Sequence, residues 1–229
     1  HGKYYRTRIP KYGRDMDYHC ASCDLYVVGA STEVYRLNLE QGRYMNPLKT
    51  NASEIFCCQF NPEHQLFMIG TAEGQIECWD PRSRTKAGTL DCTPAILASE
   101  GADLDSVSSV TALKYKDALN FAAGTSSGHI LLYDIRSDKP TIVKDHQFGL
   151  PIKTIEYHNP ENLMLTCDSR ILKLWHQDSG KPFTSIEPDT KINDMCMFPD
   201  SGLIFMATEA PKVKIVHGNL QPGVLNFHL

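Results

Sequence analysis

The chain has 229 residues, 41% hydrophobic and 22% charged, with a formal charge of −4. That supplies enough apolar material for a sizeable core and is the balance of an ordinary globular protein. No apolar run approaches the roughly 18 residues of a membrane helix, no charged-then-apolar start resembles a secretion signal, and the acidic balance argues against wholesale nucleic-acid binding.

The first fourteen residues depart from that balance. Lys3, Arg6, Arg8, Lys11 and Arg14 fall there with no acid among them, and the start on His1-Gly2 rather than Met suggests a piece of a longer chain. Five segments then line up in chain order. They run from Val28-Gly29-Ala30-Ser31 to Leu37-Asn38, from Ile69-Gly70-Thr71-Ala72 to Trp79-Asp80, and from Ala123-Gly124-Thr125-Ser126 to Tyr133-Asp134. The fourth and fifth run from Thr166-Cys167-Asp168-Ser169 to Trp175-His176 and from Met206-Ala207-Thr208 to Val216-His217. Their anchor positions 29, 70, 124, 167 and 207 lie 41, 54, 43 and 40 residues apart.

A period of about 40–45 residues with a Trp-Asp-like end is the signature of a WD-repeat β-propeller, four strands to a blade. Short apolar runs such as Gln65-Leu66-Phe67-Met68-Ile69 suit strands buried on both faces. Glu73-Gly74 and Ser127-Gly128 supply turn residues that tolerate positive φ. Asp80-Pro81-Arg82-Ser83 and Asp178-Ser179-Gly180-Lys181 make turns to outer strands, and no segment shows a helical apolar stripe. The expected fold is all-β: one partial propeller over residues 1–229, about five blades with the ring incomplete. The repeats are placed at approximately 24–50, 54–90, 109–143, 151–188 and 191–229, with an acidic loop insertion at 91–107 to account for the long interval.

On that period the amino terminus falls into place as well. Gly2 to Pro10 matches Gly180 to Pro188 in spacing, so residues 1–14 read as the outer strand of a preceding blade. Strand alternation puts Tyr4, Arg6, Arg8 and Pro10 on one face and Lys3, Tyr5, Thr7, Ile9 and Lys11 on the other. Tyr4, Arg6, Arg8, Lys11 and Arg14 are therefore the candidate partner- or RNA-binding residues. Guanidinium groups beside an aromatic suit RNA, and the chain's net negative charge favours an acidic protein segment.

Other constellations have plainer readings. His146, Thr166, Asp168 and Trp175 fall near the positions where WD repeats bury a hydrogen-bonded tetrad, and a Ser-His-Asp-like catalytic reading fits worse because Thr166 lies in a strand. The tetrad spacing is loose, and no other repeat retains all four residues. Arg82 and Arg136 end two D-x-R motifs of the kind by which some WD proteins dock onto the adaptor of cullin-type ubiquitin ligases; the alternative is a local ion pair. Of the eight cysteines, Cys57, Cys58, Cys78, Cys167 and Cys196 sit in apolar strand-like runs as small hydrophobes. Cys20 and Cys23 form the only C-x-x-C, without the second pair of a zinc site. Free thiols in a reducing compartment are expected. The nine histidines are scattered, with no H-E-x-x-H and no phosphate-cradling glycine loop. No catalytic, metal or cofactor site is predicted, nor a small-molecule substrate or membrane contact.

Several longer strings resemble one family. They are Tyr12-Gly13-Arg14-Asp15, Ser22 through Ser31, Glu33 through Arg43, Leu132 through Pro140, Lys144 through Lys153, and Ser179 through Ser185. These closely resemble the nucleolar protein 10 family, from about residue 4 to 217. The resemblance implies a nuclear, nucleolar, non-catalytic assembly factor of the small-subunit processome, needed for maturation of small-subunit ribosomal RNA. It implies other processome proteins as partners, with pre-ribosomal RNA as a second class. The family's upstream blades and lysine-rich carboxy-terminal region have no counterpart in these 229 residues, and residues 218–229 match it poorly. The alternative function is a substrate receptor of a cullin-type ubiquitin ligase, through Arg82 and Arg136.

Overall fold

Short β-branched and aromatic runs, each bounded by a turn, pair with their nearest neighbours in sequence as antiparallel strands. In a computed structural model describing residues 6–99, 107–198, 201–218 and 227–228, they make five four-stranded sheets. Blade 1 holds β1 (Gly13–His19), β2 (Asp24–Gly29), β3 (Glu33–Asn38) and β4 (Arg43–Lys49). Blade 2 holds β5 (Ile55–Phe60), β6 (Phe67–Thr71), β7 (Gln75–Asp80) and β8 (Thr85–Asp91), followed by helix α1 (Thr93–Leu97). Blade 3 consists of β9 (Val110–Tyr115), β10 (Asn120–Thr125), β11 (His129–Asp134) and β12 (Ile142–Asp145). Blade 4 consists of β13 (Thr154–His158), β14 (Leu163–Cys167), β15 (Leu172–His176) and β16 (Pro182–Ile186). Blade 5 has β17 (Ile192–Phe198), β18 (Leu203–Thr208), β19 (Lys214–Gly218) and β20 (Phe227–His228).

Within each sheet the strands pair in chain order. Between sheets β1 packs on β5, β5 on β9, β9 on β13 and β13 on β17. The first strand of every blade therefore lies at the axis and the last at the rim, the arrangement of an incomplete β-propeller. The core is a series of apolar layers between successive blades. Tyr26 and Val28 of blade 1 meet Phe67 and Ile69 of blade 2; Met68 and Ile76 of blade 2 meet Phe121 and Leu131 of blade 3. Ile130 then meets Ile152 and Trp175, and Leu165 and Leu174 meet Ile204 and Met206. Because neighbours cover both faces of a middle strand, every residue of β6 and β14 is buried.

The repeat's anchor glycines have a packing reason. A Cβ on Gly70 would sit 2.6 Å from Cys57 Sγ and 2.7 Å from Val110 Cγ1. On Gly124 it would lie 2.6 Å from both Cβ and Cγ2 of Ile152. At these positions the next blade, joined at Gly70 by Cys57 of that glycine's own blade, approaches too closely for any side chain. Gly74 and Gly128, with φ of 74° and 81°, close the β6–β7 and β10–β11 hairpins.

The structure corrects several expectations. Residues 6–12 form no strand; residues 1–5 lie outside the described part of the chain. Blade 1 begins at Gly13, not at residue 24, and β1 is an innermost strand. The sequence conceals it because Gly-Arg-Asp-Met-Asp-Tyr-His alternates charged and apolar residues with no apolar run. Within the expected loop at 91–107, residues 93–97 are helical, pinned by fully buried Ile96 and Cys92 in the layer between blades 2 and 3; residues 100–106 lie outside the described ones. Cys196 is exposed, because β17 turns Met195 into the layer with blade 4 and Cys196 to the opposite face.

Candidate interaction surfaces

The four residues whose spacing suggested a tetrad meet in the interior of blade 4. Trp175 Nε1 donates to Thr166 Oγ1 at 2.7 Å, and Thr166 Oγ1 lies 3.0 Å from His146 Nε2. His146 Nδ1 lies 2.9 Å from Asp168 Oδ2. The other Asp168 oxygen accepts the backbone N–H groups of Arg170 and Ile171 at 2.6 and 2.8 Å. A neutral imidazole fits the chain with the indole donating to the hydroxyl, the hydroxyl to Nε2 and Nδ1–H to the Asp168 carboxyl; Nε2 also lies 3.3 Å from the Thr166 carbonyl. Burial does push the His146 pKa down, against the opposing pull of Asp168. His146, Thr166 and Asp168 are wholly inaccessible and Trp175 nearly so, so the set ties the turn before blade 4 to its middle strands and presents nothing to a substrate. In blade 2 the corresponding indole, Trp79, donates instead to Glu77 at 3.0 Å.

Two further polar systems escaped sequence reading. In blade 1 the buried Asp24 accepts from Arg36 Nη2 at 2.7 Å and from Asn38 Nδ2 at 2.8 Å. Burial alone would raise the Asp24 carboxyl, but Arg36, Asn38 and Ser22 outweigh it and hold it below the usual range. The signal was available: Arg36 interrupts an otherwise apolar alternation between Val34 and Leu37.

The second system lines the axis. Asp15 accepts the Cys58 N–H at 2.9 Å and Asp17 the Phe60 N–H at 2.7 Å, joining β1 to β5. Gln59 accepts the Tyr115 N–H at 2.7 Å, Thr111 donates to the Ile152 carbonyl at 2.6 Å, and Lys153 donates to the Ile192 carbonyl at 2.6 Å. Polar side chains on an inner strand, or just before it as with Lys153, thus satisfy backbone groups at the inner edge of the next blade. Burial raises the Asp15 pKa, with the backbone donors of Cys58 and Met16 working against it. The open polar space they line measures about 440 Å³.

The basic start is only partly assembled. Arg6, Arg8 and Lys11 are exposed; Tyr4 lies outside the described residues. Residues 6–12 form no strand, so strand alternation does not place Arg6 and Arg8 on a common face. Arg14 is engaged with the next blade, 2.5 Å from Glu54 and stacked 3.8 Å from the Phe56 ring centroid. Of the two D-x-R arginines, Arg82 is exposed and its N–H caps Asp80 at 2.9 Å. Arg136 closes on Asp134 through Nε at 2.9 Å and Nη2 at 2.5 Å. That fork holds the Asp134 carboxyl down at about 2.

The family model described as "Nucleolar protein 10-like, N-terminal domain" matches residues 1–217. The chain belongs to this family. It is 57% identical over 219 residues to "Nucleolar protein 10" of Xenopus laevis, covering 95% of this chain and 31% of that one. With "Nucleolar protein 10" of Homo sapiens the identity is 54% over 216 residues, covering 94% and 31%. With "Ribosome biogenesis protein ENP2" of Saccharomyces cerevisiae it is 39% over 212 residues, covering 91% and 29%. The chain thus spans about a third of the length of these relatives. Membership of the family places it in the nucleus, in the nucleolus.

Proposed function

We propose that this chain is a non-catalytic scaffold of the small-subunit processome, acting in nucleolar ribosome biogenesis on the maturation of small-subunit ribosomal RNA. The observation carrying this reading is similarity across nearly the whole chain to nucleolar proteins, one of whose yeast relatives is named for ribosome biogenesis. The architecture supports it. Among the described residues, His146, Thr166 and Asp168 are engaged in the tetrad of blade 4, and Asp15, Asp17, Gln59 and Lys153 in bonds between blades at the axis. Exposed rims and turns are left for partners, which suits assembly with other processome proteins. The exposed Arg6, Arg8 and Lys11 also suit the phosphates of pre-ribosomal RNA.

A receptor for a cullin-type ligase is the competing reading. It would need Arg136 to leave a bidentate, charge-assisted fork with Asp134, and of the two arginines only Arg82 stands outside such a fork.

The test is affinity purification and gradient sedimentation of the tagged full-length protein, with precursor RNA analysis after its depletion. Co-sedimentation with large pre-ribosomal particles and loss of small-subunit RNA maturation are expected. Sedimentation as a small complex with a ligase adaptor, with intact RNA maturation, would overturn the proposal.

A further inference from the structure

Each blade ends in an outer strand with one unpaired backbone edge, and proteins protect such edges with charges, proline or brevity. Three rims conform among the described residues: β4 carries Arg43, Pro47 and Lys49, β12 has four residues ending in Lys144 and Asp145, and β16 opens on Pro182. β8 differs. It is seven residues long, and after Lys86 its Ala87-Gly88-Thr89-Leu90 stretch carries neither charge nor proline. Residues 85–89 are all exposed, and the space where Gly88 would carry a Cβ is empty. Among the described residues β8 pairs only with β7.

Beside this edge runs a groove of about 970 Å³ between β8, α1 and the turn leading into β12. Its apolar walls come from Leu90, Pro94 and Ala95 on one side and Pro140 and Val143 on the other, with Asp91, Asp138 and Lys139 among its polar lining. The groove is built: Ile96 and Cys92 anchor α1 in the interblade layer, and Tyr133 donates its hydroxyl to Cys92 Sγ at 3.6 Å. Its described lining carries two carboxylates, Asp91 and Asp138, against one ammonium, Lys139.

We propose that blade 2 accepts a fifth strand: an extended segment of a partner protein, pairing along β8 and setting an apolar side chain into the groove. The mode is β-augmentation, where backbone hydrogen bonds give affinity and the side-chain pocket gives selectivity. Pairing along a backbone edge requires a polypeptide, so the partner is protein and not RNA, and Asp91 and Asp138 favour a Lys or Arg flanking the apolar residue. This site is separate from Arg6 and Arg8 and does not rest on the ribosomal reading.

The experiment places a photo-crosslinking amino acid at Thr89 of the full-length protein in cells and maps the product by mass spectrometry. The expected product is a single partner segment, extended, with an apolar residue and an adjacent Lys or Arg. Asp138→Lys, an exposed turn substitution, and Ala87→Lys, a charge on the open edge, should each cut its yield about tenfold, the effect of roughly 1.4 kcal/mol. Circular dichroism of the same variants should stay unchanged, separating impaired docking from impaired folding. Crosslinks to RNA, to another segment of this chain or to a second copy of it would each overturn the proposal. So would the absence of any crosslink, or a yield indifferent to both substitutions in folded protein.

Discussion

Replacing Trp175 by alanine tests whether the buried tetrad is structural. The indole is 4% exposed, packs in the layer with Ile130, Ile152 and Met164, and donates to Thr166. Removing a buried aromatic of this size costs about 3–5 kcal/mol, combining lost transfer energy with the cavity left behind. For a chain of this length each kcal/mol lowers the melting temperature by about 2–4 °C, so a fall of about 6–20 °C is expected. Trp175→Phe separates packing from hydrogen bonding. It keeps most of the volume but removes the donor, and because Thr166 Oγ1 still has His146 Nε2 at 3.0 Å, the added cost is near the low end of about 1–3 kcal/mol. Thermal unfolding followed by far-UV circular dichroism reads both variants, alongside binding normalised to folded protein. A normally stable Trp175→Ala protein that selectively loses its partners would refute the structural reading and make this face an interaction site.

Gly124→Ala sets a methyl against the Cβ of Ile152, which cannot swing away. The expected loss is about 1–3 kcal/mol of overpacking strain, and an unshifted denaturation midpoint would show that the blades slide apart freely. Burial lowers the folded-state pKa of His146 and of His129, so their stability contribution is complete above the unfolded value of about 6.5 and is lost as pH falls through the folded values. Unfolding free energy should therefore decline below about pH 6.5, less steeply in His146→Gln; a flat profile there would contradict a neutral buried imidazole. Arg6→Glu with Arg8→Glu should weaken particle association without altering the melting temperature. Measuring association against salt identifies the partner, since every phosphate of a single strand that these arginines neutralise adds about 0.7 to the log–log slope. Unchanged association would make the basic start a solvated surface.

The architecture was legible in one dimension because every propeller blade is built from neighbours in sequence. Apolar runs, turn glycines at 74 and 128, and the 40-residue spacing each specify a local hairpin, and repeating the unit specifies the stack. The spacing also pointed to His146, Thr166, Asp168 and Trp175, since the repeat predicts which positions face one another. Interactions between blades were not legible. Asp15 and Asp17 made β1 look like a polar segment, yet they are acidic because they cap the backbone edge of β5, 43 residues away. The basic start carried a strand-like spacing, but residues 6–12 form no strand, and Arg14 turns to Glu54 and Phe56 of the next blade. The open edge of β8 could be recognised only once its neighbours were known. Local pairing is written in periodicity, which a sequence displays directly. Which polar side chain meets which backbone group across an interblade layer depends on distances that only the assembled arc of blades creates.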